Sequence, residues 1–194
     1  MADDPPDPEL VRRVQAGDVD AFAPLAARHA TRLVRFLATM TGDDATAEDL
    51  AQETLLRAQT KLAQLRDPTR FGSWLLSIAC NRCRSHLRAE VQRQRSATVD
   101  PDALATGRRS ALSSLVRAED AVHLGLAIDR LPILLREAFV LFAVEGLPYA
   151  EIASATEVAE GTLMVRVHRA KALLRQQLGP RVDTWWSRDD GGGH

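Results

Sequence analysis

Only two cysteines, Cys80 and Cys83, occur in the 194 residues, too few for the disulfide framework that staples a small secreted domain. No apolar run approaches the length of a membrane span. The N-terminus is acidic and proline-rich, where a signal peptide would be basic and then apolar. A cytoplasmic protein with reduced thiols and no membrane insertion is therefore expected. Strand-like alternation is scarce, and valine and isoleucine fall within helical periods. There is no glycine-rich phosphate loop, no nucleophile motif and no isolated carboxylate pair in an apolar setting, so neither enzymatic chemistry nor a cofactor is expected. Lysine is nearly missing as well: Lys61 and Lys171 stand alone among 25 basic residues, which most simply reflects a GC-rich genome.

What is present is a balanced but sorted charge. Twenty-five basic residues against 26 acidic ones leave a net charge of −1, which by itself points to no polyanionic partner. Yet residues 1–53 hold eleven acids, residues 82–117 hold eight arginines against three acids, and residues 163–181 hold four arginines and Lys171 with no acid. Charge segregated in this way favours separate electrostatic faces. With 45% apolar residues the chain can build ordinary cores, and its length allows two small domains.

The periodicity predicts helices almost throughout. A short amphipathic helix at about 9–16 carries Leu10, Val11 and Val14 and ends at Gly17. Asp18 or Asp20 is expected to cap a second helix bearing Phe22, Leu25, Leu33, Leu37 and Met40, with Pro24 tolerable in its first turn. Residues 41–44 break it, and a third helix carries Leu50, Leu55, Leu56, Leu62 and Leu65. A stop at Arg66-Asp67-Pro68 precedes a fourth helix from Phe71 through Trp74, Leu75, Ile78, Cys83 and Leu87, with Trp74 read as a core anchor. Residues 92–117 lack a strong period and read as a flexible linker. Helices follow at about 118–130, 133–145, 148–155 and 160–178, and the tail is expected to fray, with Trp185 and Trp186 capping the last helix. The expected domains are a short N-terminal segment (1–17), a helical bundle (18–91), the linker (92–117), a second helical domain (118–180) and a tail (181–194). Two short helices near the end, the second basic, have the layout of a helix-turn-helix that places one helix in the DNA major groove.

Ordered motifs in both halves narrow this reading. The first half contains Asp20-Ala21-Phe22, Gly42-Asp43 and Ala47-Glu48-Asp49-Leu50-Ala51-Gln52-Glu53-Thr54. Phe71, Trp74-Leu75, Ile78-Ala79, Asn81 and His86-Leu87-Arg88 follow. The second half contains Leu131-Pro132, Arg136-Glu137-Ala138-Phe139, Glu145-Gly146-Leu147, Tyr149-Ala150-Glu151-Ile152-Ala153, Glu160-Gly161-Thr162 and Arg166-Val167-His168-Arg169-Ala170. In this order, over about 18–90 and 119–178, they resemble regions two and four of the extracytoplasmic-function sigma factors of bacterial RNA polymerase.

The resemblance implies an all-helical, two-domain transcription initiation factor that binds core RNA polymerase and directs it to promoter DNA. It assigns core docking to Glu48, Asp49, Leu50, Gln52 and Glu53, whose polar members share one helical face beside a buried Leu50. It assigns the minus-ten element to Asn81, Arg82, Arg84, His86 and Arg88, with Asn81 able to bond a base edge and the arginines to pair phosphates. It assigns the minus-thirty-five element to Glu160, Thr162, Val165, Arg166, Arg169 and Lys171, on a recognition helix whose N-terminal residues face bases. It also implies an anti-sigma factor as a partner; the oligomeric state stays open, with a monomer when free as the default. With few aromatics left for stacking, strand melting is expected to be modest and promoter choice strict.

The chain departs from the family at the recognition helix. Met164-Val165 replaces the usual Lys-Ser pair, Glu157 stands where the turn usually has glycine, and Ala159 where it usually has proline. Glu157 beside Glu160 costs attraction for phosphates, while Met164 and Val165 are suited to thymine methyls or to a protein surface. Cys80, Cys83 and His86 have a metal-like spacing but no evident fourth ligand, so no metal is expected and Cys83 reads as a small core residue. Three other readings stay open at this level: a sigma-like decoy for an anti-sigma factor, a helix-turn-helix regulator that acts without polymerase, and a thiol or metal sensor on the same fold.

Overall fold

A computed structural model describes residues 5–96 and 118–182. Among these residues it contains eight α-helices linked by short 3₁₀ turns, and no strand. The first unit comprises α1 (Asp7–Gln15), α2 (Phe22–Thr41), α3 (Asp44–Lys61) and α4 (Phe71–Ser96). The second comprises α5 (Ala118–Asp129), α6 (Ile133–Phe139), α7 (Tyr149–Thr156) and α8 (Glu160–Leu178).

Local chemistry accounts for the boundaries. Gly42 ends α2 in the left-handed region at φ 81°, a conformation that costs glycine nothing. Asp43 then accepts a 2.8 Å hydrogen bond from the Thr46 backbone N–H and caps α3. Bonds to Thr46 hold its carboxyl below the usual range, with a smaller contribution from nearby His86. Asp67 caps the turn before α4 in the same way, accepting from Thr69. Pro132 and Pro148 each precede a helix in the extended conformation, where a missing N–H costs no intrahelical bond. Helix α6 opens into a π-helical turn at Val140–Val144. Pro24 lies in the first turn of α2, as its geometry requires.

Several expectations need correction. Neither Asp18 nor Asp20 caps α2; a 3₁₀ turn (Val19–Ala21) intervenes, and the Asp18 carboxylate instead pairs with Arg13 at 2.7 Å. Leu56 is exposed while Leu50 and Leu62 are buried. Helix α4 continues to Ser96, past the start of the expected linker. The segment before residue 18 is part of the first unit. Leu10 and Val11 are buried in its core, and Gln15 donates to the Leu62 and Leu65 carbonyls at 3.0 and 2.9 Å. The remainder of the expected linker and the Trp185-Trp186 tail lie outside the described residues.

Asp7 fastens α1 to α2 by bonding His29 at 2.6 Å and Arg28. Burial pushes its carboxyl up, but these bonds and charges together outweigh it and hold the group below its ordinary value. A depressed carboxylate stabilises the fold above its unfolded pKa and loses that contribution as pH falls through the folded one. Asp7→Asn is therefore expected to lower stability slightly at pH 7, by about 1 kcal/mol or less because solvent screens the pair, and the melting temperature with it. The difference from wild type should shrink as pH falls below the ordinary carboxylate range and vanish once the folded carboxyl is protonated, where both follow the same acid limb. A melting series from pH 2 to 7 checks it.

Candidate polymerase and nucleic-acid interfaces

Helix α3 turns Ala47, Leu50, Ala51, Thr54 and Ala58 into the core. That leaves Glu48, Asp49, Gln52 and Glu53 exposed together on the opposite side. Leu50 anchors this face from beneath and contributes no exposed surface to it. Glu53 is not independent: it forms an ion pair with Arg82 on α4. The acidic face thus borders the basic face directly, a junction the sequence did not reveal because the two residues belong to different helices.

On α4, Leu75, Leu76, Ala79, Cys80 and Cys83 point inward. Asn81 and Arg88 are exposed, and Arg82, Arg84 and His86 are half-buried. Arg84 donates to the Asn81 side-chain oxygen at 2.5 Å and lies 3.3 Å from Glu137 of α6. A cleft of about 390 Å³ opens beside them. Asp67, Arg70, Trp74 and Asn81 line one wall, and Thr156 and Glu157, at the end of α7, line the other. Trp74 is half-buried: it packs against the core beside Phe71, as expected, and also lines this cleft.

Both thiols are fully buried. Burial, reinforced by Glu137, pushes Cys80 well above its ordinary value and Cys83 up to about 12. Thiols of this kind stay protonated at neutral pH and are poor nucleophiles and metal ligands. Cys83 fills the core as expected, and Cys80 joins it.

In the second unit, Leu163, Val167, Ala170 and Leu174 seat α8 on its neighbours. Gly161, Thr162, Met164, Val165, His168 and Arg169 are exposed. Thr162, Val165 and Arg169 lie on successive turns of one side. Arg166 and Lys171 are only half-buried. Arg166 is near enough to Glu137 to influence its titration, and the Lys171 ammonium lies 5.3 Å from the Phe142 ring centre. Phe142 in turn stacks on Tyr149. These two cations face the base of the helix rather than its outer surface. The turn before α8 passes through Glu157 at φ 57°, a left-handed conformation that a side chain adopts at a cost.

An acidic helix face bordered by a basic helix with a cleft, followed by a helix-turn-helix with an exposed second helix, defines an all-helical protein built to dock and to bind nucleic acid. The sigma-70 region 2 family matches residues 25–93, and the sigma-70 region 4 family matches residues 123–174. The RNA polymerase sigma factor CarQ of Myxococcus xanthus is 36% identical over 174 residues, covering 87% of this chain and 95% of that protein. The RNA polymerase sigma-H factor of Pseudomonas aeruginosa is 30% identical over 182 residues, covering 90% and 94%. The sigma factor RpoE of Bartonella quintana, solved in complex with the anti-sigma factor NepR, superposes with a TM-score of 0.66 at 26% identity, covering 82% and 97%. The chain belongs to the extracytoplasmic-function sigma factors of RNA polymerase, a family of transcription initiation factors.

Proposed function

We propose that the chain docks on core RNA polymerase through Glu48, Asp49, Gln52 and Glu53 and reads promoters with both units. The carrying observation is the placement of that exposed acidic face one helix away from Asn81, Arg82, Arg84 and Arg88. Docked by α3, the polymerase would receive strand-separated DNA along α4, where the arginines pair phosphates and Asn81 and the cleft take a base. His86 lies further along α4, near Asp43, and lines a second groove between the units. Duplex DNA upstream would meet the outer face of α8, where Thr162, Val165 and Arg169 reach base edges and Glu160 tunes the approach. Met164 and Val165, about half exposed, offer apolar contacts of the kind that thymine methyls accept. Arg166 and Lys171 support that face from its base. Bond-making chemistry belongs to the polymerase, and the chain acts in the cytoplasm where that enzyme is. By likeness to the Bartonella factor, an anti-sigma factor is the expected inhibitor.

The test separates the two units. In holoenzyme, Arg169→Ala should weaken promoter duplex binding by roughly tenfold, the ~1–3 kcal/mol of one base contact. Asn81→Ala should leave duplex binding within twofold but reduce strand opening, read by permanganate reactivity of thymines. Equal loss of both steps in both variants would contradict the assignment.

A further inference from the structure

Helix α8 packs through Leu163, Val167, Ala170 and Leu174. Its period therefore sets the opposite, outward stripe at Gly161, Val165, His168 and Ala172, and all four are exposed. Met164 stands beside this stripe and, like Val165, is about half exposed. No arginine or lysine lies on the stripe. Arg166 and Lys171 turn toward the base of the helix, and Arg169 lies on the flank away from Met164. A Cβ at Gly161 would meet nothing within 4 Å. The fold does not require glycine there, and alanine is the better helix former; what glycine adds is a backbone that another surface can approach closely.

The chemistry of this stripe narrows what it can read. In the major groove guanine offers two acceptors, adenine an acceptor and a donor, cytosine a donor, and thymine an acceptor with a C5-methyl. Val165 and Met164 bond none of the polar groups, and seating a polar base edge against them removes its water without replacing the bonds. The thymine methyl is the group that gains from such a contact. The charge around the stripe favours DNA over a neutral protein surface as the partner. From Gly161 to Leu178 the helix holds Arg166, Arg169, Lys171 and Arg175 and no acid, a balance suited to a polyanion.

We propose that Met164 and Val165 are the specificity-determining residues of α8, and that the duplex it selects presents thymine methyls to them on adjacent base pairs. The inference rests on the promoter-reading function proposed above and names the chemical feature of DNA that this helix selects. Discrimination at these positions is apolar: thymine is taken for its methyl, and the other bases are rejected because a polar edge is left unpaired. A lysine at position 164 would reach for a phosphate, and methionine forgoes that contact. Less of the upstream affinity then comes from counterion release and more from the bases themselves.

The experiment uses holoenzyme formed from the full chain and core RNA polymerase. Wild-type holoenzyme selects promoter duplexes from a library randomised across the minus-thirty-five element. The selected duplex is then remade with uracil for thymine in that element only, or in the spacer as a control; uracil pairs as thymine does and lacks only the methyl. The selected element should hold thymines on adjacent base pairs. Loss of each methyl should weaken binding roughly fourfold, the worth of one buried methyl group, and spacer uracil should change nothing. Met164→Ala/Val165→Ala should bind both duplexes alike, within twofold of wild type on uracil. Met164→Lys/Val165→Ser should also lose the thymine preference, while its salt dependence steepens by about one unit of log–log slope, a gain that a misfolded helix would not show. A selected element without adjacent thymines, equal wild-type affinity for the thymine and uracil duplexes, or a thymine preference that survives in both variants would overturn the inference and leave promoter reading standing. Variants that keep the thymine preference but lose affinity for core would overturn it too and assign the face to a protein. Binding by wild-type holoenzyme that ignores the minus-thirty-five element would sink the proposed upstream reading and the inference with it.

Discussion

Reversing Glu48, Asp49 and Glu53 to lysine should reduce affinity for core RNA polymerase by at least about 100-fold, roughly 2.7 kcal/mol, without unfolding the chain. All three carboxylates are exposed, and exposed substitutions away from caps and cores typically change stability by about 0.5 kcal/mol or less. Their effect should therefore fall on the partner, where like charges brought face to face cost several kcal/mol. Glu53 needs its own control because it pairs with Arg82, so its reversal also disturbs the basic face. The Glu48→Lys/Asp49→Lys double variant leaves that pair intact and should account for most of the loss. Titration of labelled chain with core, alongside circular dichroism, checks both points. Affinity retained in the triple variant would place the docking surface elsewhere.

Phe71→Ala should produce the largest loss of stability. Phe71 is fully buried at the start of α4, with His29 edge-on at 5.1 Å and Trp74 at 6.0 Å between ring centres. Truncating a buried phenylalanine costs about 3–5 kcal/mol through lost burial and the cavity left behind, a large share of the ~5–15 kcal/mol that holds a domain together. The functional consequence is directional. Trp74, the cleft wall, rests on Phe71, and so does the N-terminal end of the helix that carries Asn81 and Arg84. Strand opening should fall further than core docking, which depends on α3. Urea denaturation and permanganate reactivity measure the two effects; a stability loss below about 1 kcal/mol would show that Phe71 is not the anchor of α4.

The helices were legible because their signals are local. A 3.6-residue apolar period, a glycine at 42, an aspartate cap at 43 and prolines at 132 and 148 each act within a few residues. Leu56 misled because it follows Leu55: adjacent helical positions point about 100° apart, and here Leu55 lies against the core while Leu56 turns to the exposed side. The candidate site was legible as lists of residues on α3, α4 and α8. Its internal wiring was not, since Glu53–Arg82, Arg84–Glu137 and Arg32–Glu145 join residues 29 to 113 positions apart. One signal was available. Glu137 sits in a run from Ile133 to Val144 that is otherwise apolar apart from Arg136, and two opposite charges inside such a run imply buried partners. Arg166 and Lys171 illustrate the converse: basic residues on a recognition helix need not face outward, and here one lies near Glu137 and the other over Phe142.

The most direct measurement is transcription from total genomic DNA by core RNA polymerase with and without the purified chain, with RNA start sites mapped. Starts that require the chain and share two upstream elements, near minus ten and minus thirty-five at fixed spacing, are the predicted result. Core that initiates normally with another sigma factor but gains no starts from this chain would contradict the account.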